Sequence, residues 1–255
     1  MRIISLNTWG GRGGKENLLA FFKKHADTTD IFCLQEIWAA SYESLEGRLV
    51  GGVEISDDQI MIRGLQEISE TLPNHVAFFR PHHGDHYGLL MMVSKNLTVS
   101  EEGEVFVYKH KGFVTEGDVG NHARNIQYVT IETETEPLTV INFHGLWNGR
   151  GKTDTEDRIL QSKNILAFMK KIKGEYVLCG DFNLLPYTES IRLFEAEGLR
   201  NLIREHKVSS TRTSFYLKPE KYADYAFVTK RLKVLDFKVL PDEISDHAPL
   251  LIEVQ

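Results

Sequence analysis

The run Tyr176-Val177-Leu178-Cys179-Gly180-Asp181-Phe182-Asn183 decides how the chain is read. It opens on apolar, β-favouring residues, as a buried strand requires, and leads through a glycine to a carboxylate and an amide. A side chain at a strand end is held by a rigid sheet yet faces solvent, which suits a preorganised site. The same arrangement recurs elsewhere. Ile3-Ile4-Ser5-Leu6 leads to Asn7, Ile31-Phe32-Cys33-Leu34-Gln35 leads to Glu36, and Val140-Ile141-Asn142-Phe143 leads to His144. Ser245-Asp246-His247 directly precedes the apolar Ala248-Pro249-Leu250-Leu251-Ile252.

Taken alone, each polar end has an ordinary explanation. Asn7 terminates a strand, Glu36 is a solvated edge residue and His144 is a hydrogen-bonded turn histidine. Asp181 and Asn183 form an Asx-turn, and Asp246-His247 turns the chain before Pro249. What argues for chemistry is their coincidence: every one of these places carries a hard-oxygen ligand or a proton carrier.

Around these motifs, short apolar runs alternate with amphipathic segments. Strands are expected at 2–7, 31–35, 75–80, 88–94, 104–108, 124–132, 138–143, 175–180, 224–229, 233–240 and 248–254. Helices are expected at 15–25, 58–72, 154–172 and 187–197. The third of these is marked by the capping-box pattern Thr153-Asp154-Thr155-Glu156, and Gly174 is expected to close it. Many strands with few helices are compatible with a barrel, a sandwich or a mixed layered fold. Helices between the early strands and again mid-chain favour two sheets packed face to face with helices outside. No linker or repeat marks a boundary, so residues 1–255 are read as one domain.

With 42% hydrophobic and 26% charged residues, the chain can build a sizeable core. A net charge of -6 argues against a generic nucleic-acid binder, which would present a basic face to the phosphate backbone. Cys33 and Cys179 each sit in an apolar run and read as buried free thiols. No stretch reaches the roughly 20 apolar residues of a transmembrane segment. The start of the chain lacks the apolar core of a secretion signal, so the expectation is a cytoplasmic protein with no obligate protein partner.

The inventory excludes other chemistries. Two dispersed cysteines cannot build a Cys-rich zinc site, and neither a His-Glu-x-x-His helix nor a Gly-x-Ser-x-Gly elbow is present. His82-His83-Gly84-Asp85-His86 reads as a surface loop rather than a dedicated metal cluster. Gly10-Gly11-Arg12-Gly13-Gly14 lacks the ending of a P-loop and reads as a flexible loop, the alternative being that its backbone or Arg12 touches substrate. Trp38, Tyr42, Tyr87, Phe113, Trp147 and Tyr216 read as packing residues, with stacking on a base or headgroup as the alternative.

Leu6-Asn7-Thr8-Trp9, Leu34-Gln35-Glu36, Asn142-Phe143-His144-Gly145, Gly180-Asp181-Phe182-Asn183, Asp224-Tyr225-Ala226-Phe227-Val228 and Ser245-Asp246-His247-Ala248-Pro249-Leu250 follow one another along the chain. In this order and at these approximate intervals they resemble the endonuclease/exonuclease/phosphatase (deoxyribonuclease I-like) superfamily. The resemblance covers residue 1 to about 254. It implies a four-layered α/β sandwich of two packed mixed β-sheets flanked by helices, with the site at one end.

The resemblance also implies roles. Glu36 matches the principal Mg²⁺ carboxylate, with Mn²⁺ a possible substitute, and Asn7 matches the amide that organises the metal and its waters. Asp246 matches a residue near the metal. Asp181 matches the residue that positions or deprotonates the attacking water, and Asn183 beside it matches a phosphate contact. His247 looks like the histidine on the scissile phosphate, oriented by Asp224, and His144 like the group that assists the transition state or leaving group. Arg124 lies in a region where related chains often place a phosphate-contacting basic residue, the alternative being an ordinary surface arginine.

Trp9 departs from the acidic residue of abasic-site endonucleases and resembles sphingomyelinase-like branches. The implied activity is Mg²⁺-dependent hydrolysis of a phosphodiester or phosphomonoester by in-line attack of water. The phosphoester belongs to a small molecule, a lipid headgroup or a nucleic acid. A nuclease is the alternative, and a catalytically silent phosphate-binding module the remoter one. Elementary chemistry asks for the same residue types: charge neutralised on nonbridging oxygens, an oriented water and help for the departing oxygen.

Overall fold

The computed structural model describes residues 1–39, 49–50, 53–54, 60–113 and 119–255. Its strands are β1 (Arg2–Asn7), β2 (Ile31–Trp38), β3 (Leu49–Val50), β4 (Val53–Glu54), β5 (His75–His83), β6 (Tyr87–Ser94), β7 (Val99–Tyr108), β8 (Arg124–Ile131), β9 (Leu138–His144), β10 (Glu175–Asp181), β11 (Arg200–Asn201), β12 (Asp224–Val228), β13 (Val234–Val239) and β14 (Leu250–Val254). The α-helices are α1 (Lys15–His25), α2 (Gly64–Thr71), α3 (Glu156–Met169), α4 (Glu189–Ala196) and the single turn α5 (Leu202–Glu205).

Two six-stranded sheets form, in the orders β13-β14-β1-β2-β6-β5 and β11-β12-β10-β9-β8-β7, beside a small β3-β4 ribbon. Each sheet holds one parallel pair, β1-β2 and β9-β10, and its other pairs are antiparallel. A parallel pair needs a crossover, which α1 supplies in the first sheet and α3 in the second.

Strand alternation builds the layers. Ile3, Ile31, Cys33, Met91 and Val93 of the first sheet share one core with Val129, Ile131, Val140 and Cys179 of the second. Ile4, Leu6, Phe32, Leu34 and Leu90 point the other way and pack under Leu18, Phe21 and Phe22 of α1 and Ile68 of α2. Behind the second sheet, α3 and α4 bury Ile165, Met169, Ile191 and Phe194. The four-layered sandwich expected from the sequence is therefore what the chain adopts.

A polar network crosses the central layer. The buried Gln35 Nε2 donates to Asn142 Oδ1 at 2.6 Å, and Asn142 Nδ2 donates to the Leu34 carbonyl at 3.0 Å. Gln127 Nε2 donates to the Phe78 carbonyl at 2.6 Å. These bonds run from one sheet to the other directly beneath the strand ends.

Several expectations are corrected. α3 begins at Glu156 and is capped by Thr155, whose side chain accepts the Arg158 N–H, so Thr153 is not the cap. Asp154 serves the neighbouring helix instead, accepting the Glu189 and Ser190 N–H groups at 2.7 and 3.0 Å. α3 ends at Met169, short of Gly174, whose φ of 86° belongs to a turn pressed against the Pro137 carbonyl. α2 begins at Gly64 rather than 58, and residues 58 and 59 lie outside the described residues. The histidine segment is a surface loop only in part: Gly84 and Asp85 lie in an exposed turn, whereas His82 and His83 belong to β5 and His82 is buried. Residues 10–14 are packed rather than loose, because a Cβ on Gly13 would lie 2.3 Å from the Ile244 carbonyl oxygen. Both cysteines are free and buried, as expected.

Candidate active site

The strand directions bring the polar ends together. β1 and β2 run parallel with Asn7 opposite Gln35, and β9 and β10 run parallel with His144 opposite Asp181. The Asn7–Asp181 hydrogen bond joins the two edges, so both pairs finish at one end of the sandwich. The antiparallel β12 enters at that end with Asp224 opposite Asp181, and β14 enters with Leu250 opposite Ser5, just after Asp246-His247.

Local backbone distortion aims two of the side chains. The β2-β6 register shifts between Leu34 and Ile37, and within that bulge Glu36 adopts φ 59°. Asn183 adopts φ 54°. Left-handed backbone at non-glycine residues is disfavoured and collects at functional sites, and a bulge turns a side chain out of its pleat. Gly180 is required by space as well as conformation, since at φ 142° an added Cβ would sit 1.9 Å from the Phe143 carbonyl oxygen.

Asn7 bridges the two carboxylates that face each other across the sheets. Its Nδ2 donates to Glu36 Oε1 and to Asp181 Oδ2, each at 3.0 Å, while its Oδ1 accepts the Trp9 N–H at 2.9 Å. Asp181 Oδ1 accepts the Asn183 N–H at 2.8 Å. His247 Nδ1 lies 2.9 Å from both oxygens of Asp224. Its Nε2 lies 3.6 Å from Asp181 Oδ2 and 3.7 Å from Asp246 Oδ1. His144 Nε2 lies 3.7 Å from Asp181 Oδ2 and 3.9 Å from Glu36 Oε1. All nine residues singled out in the sequence come together, eight of them around these contacts and Arg124 on the neighbouring cavity wall.

Charge states divide the histidines. Burial, reinforced by Arg124, pulls His144 down to about 3, so it is a neutral imidazole at ordinary pH. Burial also works against charge on His247, but Asp224, with Asp246 and Asp181, outweighs it and raises this histidine above its usual value. For Asp181, burial opposes ionisation, yet His247, His144, Lys152 and Arg212 together hold the carboxyl well below the carboxylate range. Because His144 is neutral near pH 7, the cations that keep Asp181 ionised there are His247, Lys152 and Arg212. Burial raises the Glu36 carboxyl, with the Asn7 hydrogen bond opposing the rise.

Arg124 begins β8 and is buried on the cavity wall. Burial lowers it to about 10, which leaves it a cation. Its Nη1 lies 2.7 Å from His122 Nε2 and 3.3 Å from His82 Nδ1. Burial holds both of these rings well below their usual values, so they are neutral and can accept from the guanidinium.

The donor set fits a hard divalent cation. Asp181, Asp224 and His247 offer ligand atoms within 4.8 Å of one another, but hydrogen bonding accounts for that closeness because Asp224 already occupies His247 Nδ1. Glu36 faces the cavity with Asp246, whose Oδ1 is buried without a hydrogen-bond partner. Few carboxylates, with water and substrate oxygens completing the shell, is the coordination Mg²⁺ prefers.

Sequence reasoning missed Lys152 and Arg212. Both line the cavity, with Lys152 4% exposed and Arg212 Nη1 donating to Asp246 Oδ2 at 2.9 Å. Lys152 ends the basic, glycine-rich Gly149-Arg150-Gly151-Lys152, a signal present in the sequence. Of the aromatic residues, Trp38, Tyr87, Trp147 and Tyr216 line the cavity, Phe113 does not, and Tyr42 lies outside the described residues. Arg12 and the Gly10 backbone line it as well. No helix among the described residues is long and apolar enough to cross a membrane.

A two-sheet α/β sandwich that gathers carboxylates, amides and histidines at one end defines the class of protein. Residues 4–247 match the Endonuclease/Exonuclease/phosphatase family, and the chain belongs to it. Among curated proteins none matches the sequence. Solved structures share the fold. An endonuclease/exonuclease/phosphatase family protein from Leptotrichia buccalis superposes with a TM-score of 0.72 at 19% identity, covering 100% of this chain and 99% of that one. A mannosyl-6-phosphatase from Bacteroides thetaiotaomicron gives 0.73 at 17% identity, with coverages of 100% and 99%. The catalytic domain of human Nocturnin, solved with a bound sulfate anion, gives 0.67 at 16%, with coverages of 100% and 94%.

Proposed function

We propose that the chain is a divalent-metal-dependent hydrolase that cleaves a small phosphoester in the cavity of Glu36, Asp181 and His247. The observation that carries this reading is the Asn7 side chain, which ties Glu36 to Asp181 while the Asp224-His247 pair faces the same carboxylate. Mg²⁺, or Mn²⁺ in its place, held by Glu36 and Asp246 with Asn7 setting the carboxylate, neutralises phosphate oxygens and acidifies water when bound.

The residues divide the remaining work. Asp181 is so acidic that it orients the attacking water by hydrogen bonding more than it stores the proton. Asn183 and the charged His247 hold nonbridging oxygens, with Asp224 fixing the imidazole. Neutral His144 keeps an N–H to offer a departing or transferring oxygen, and Arg124 adds a fixed positive charge on the wall.

A cavity of about 220 Å³ among the described residues suits a small phosphoester better than a duplex. The net charge of -6 agrees. The phosphatase fold relative favours a phosphomonoester.

The test is a hydrolysis panel of mono-aryl phosphate, bis-aryl phosphate, sugar phosphates, choline-headgroup lipids, RNA and plasmid DNA, with and without chelator. The expected outcome is metal-dependent turnover of small esters, lost in Glu36→Gln. Turnover that survives chelation, or a folded Glu36→Gln protein working at the parent rate, overturns the metal-dependent mechanism. Nicking of plasmid without small-ester turnover establishes the nuclease instead.

A further inference from the structure

We propose that Lys152, beside Arg212 on the Tyr216 side of the cavity, forms a second anion subsite. The substrate then carries a further anionic group, a second phosphate being the type, close to the phosphoester. This inference rests on reading the cavity as a phosphoester site and narrows the substrate class.

Lys152 acts on the reacting groups only at a distance, through the Asp181 charge it helps to balance, and its ammonium has no hydrogen-bonding partner of its own. It is 4% exposed, and its Nζ is buried without a hydrogen-bond partner. Its Nζ lies 5.3 Å from the centre of the Tyr216 ring. The Arg212 guanidinium stacks on the same ring at 4.0 Å, and its Nε is likewise buried and unpartnered. Buried cations are normally paired, because an ammonium taken out of water without a partner loses its hydration uncompensated. The lysine is also not a free arm, since its carbonyl accepts the Leu185 N–H at 2.9 Å, which fixes the loop against the segment that follows Asp181.

The charge balance leads to the same place. Arg12, Arg124, Lys152, Arg212 and Lys218 line the cavity against Glu36, Asp181 and Asp246. A divalent cation and a phosphomonoester dianion cancel each other, so an excess of two positive charges remains before His247 is counted. A ligand with one phosphate leaves that excess in place, whereas a second phosphate against Lys152 and the free Arg212 Nε removes it.

The test is direct binding to the intact protein in chelator, so that neither metal nor turnover enters. All three tryptophans of the chain, Trp9, Trp38 and Trp147, line the cavity and report binding by fluorescence. Inorganic phosphate, pyrophosphate and tripolyphosphate are the probes. The parent protein is expected to bind the better of the two polyphosphates at least about tenfold more tightly than phosphate, the contribution of one charge-assisted hydrogen bond.

Lys152→Met, shown folded by circular dichroism, is expected to bring that ratio to within about twofold while leaving phosphate binding within about twofold; Lys152→Arg restores the ratio. Lys218→Met removes an equal but exposed charge and leaves the ratio intact. Equal or undetectable binding of all three anions by the parent overturns the subsite. So does a Lys152→Met protein that weakens all three equally, or a Lys218→Met protein that lowers the ratio as far. Should Lys152→Met not fold, the parent ratio and the Lys152→Arg protein still decide. A hydrolase without polyphosphate preference would retain the proposed function and lose only this inference.

Discussion

Asp224→Asn separates the orientation of His247 from its charge. Both Asp224 oxygens lie 2.9 Å from His247 Nδ1, and the carboxylate is what lifts this buried imidazole above its usual value against the effect of burial. An asparagine fills the same space and can still hydrogen-bond, but it supplies no charge. Burial and Arg212 then act unopposed except by Asp246 and Asp181, so the imidazole loses its proton at a lower pH than in the parent.

A hydrogen bond to a charged group contributes about 1.5–3 kcal/mol, which at about 1.4 kcal/mol per factor of ten corresponds to a fall of roughly ten- to 150-fold in kcat/KM at neutral pH. The loss narrows on acidification, because a more acidic medium returns the proton to His247. The assay is kcat/KM from pH 5 to 9 on whichever ester the panel identifies, with circular dichroism and a thermal melt to establish folding. A folded Asp224→Asn protein with the parent rate and an unshifted profile would refute the role of the pair.

Two further predictions concern stability. Burial keeps His82, His122 and His144 neutral, so the unfolded chain takes up protons below about pH 6.5 that the folded chain refuses, and stability falls with acid. Each contributes about 1.4 kcal/mol per pH unit, an upper bound of order 4 kcal/mol per unit for the three. Asp181, depressed in the folded state, contributes stability above about pH 4 that is lost on further acidification. His247 works the other way, its contribution being complete below about pH 6.5 and lost as pH rises through its raised value. Urea midpoints that stay flat from pH 7 to 5 would contradict the buried neutral histidines. Asn142→Leu leaves the Leu34 carbonyl and Gln35 Nε2 short of a partner in the core and is expected to cost about 2–4 kcal/mol in urea unfolding; a loss below about 1 kcal/mol would mean that the network does not hold the sheets.

The parts of this fold and site that were legible in the sequence obey local rules. Ile3-Ile4-Ser5-Leu6-Asn7 and Tyr176–Asp181 declare themselves as strands because burial on both faces demands continuous apolar residues, and the polar residue that ends each run is conspicuous. Boundaries failed where a tertiary contact decided them. Thr155 caps α3 because Asp154 is drawn to the N-terminus of α4, a competition that no pattern within residues 153–156 contains. Two-residue β11 exists only because β12 offers it an edge. His82 was misread because a His-Gly-Asp-His run looks solvated, whereas β5 carries that side chain inside to meet His122 and Arg124.

Lys152 and Arg212 escaped notice for a related reason. Neither ends an apolar run; both sit on loops, where a basic residue is ordinarily a solvated one. Their significance lies in being shut away beside Asp181, which is a property of how the loops at 145–155 and 206–223 fold over the strand ends. The division follows from topology. One parallel pair in each sheet sets Asn7 beside the end of β2 and His144 beside Asp181, and the packing of the sheets brings the two pairs to one end, so the reacting centre is written into strand endings. The loops that fold over that end add Lys152 Nζ and Arg212 Nε, which no hydrogen bond within the chain satisfies. A chain of this topology can therefore keep its reacting centre fixed while Lys152 and its neighbours are exchanged, and the phosphoester it accepts would change with them.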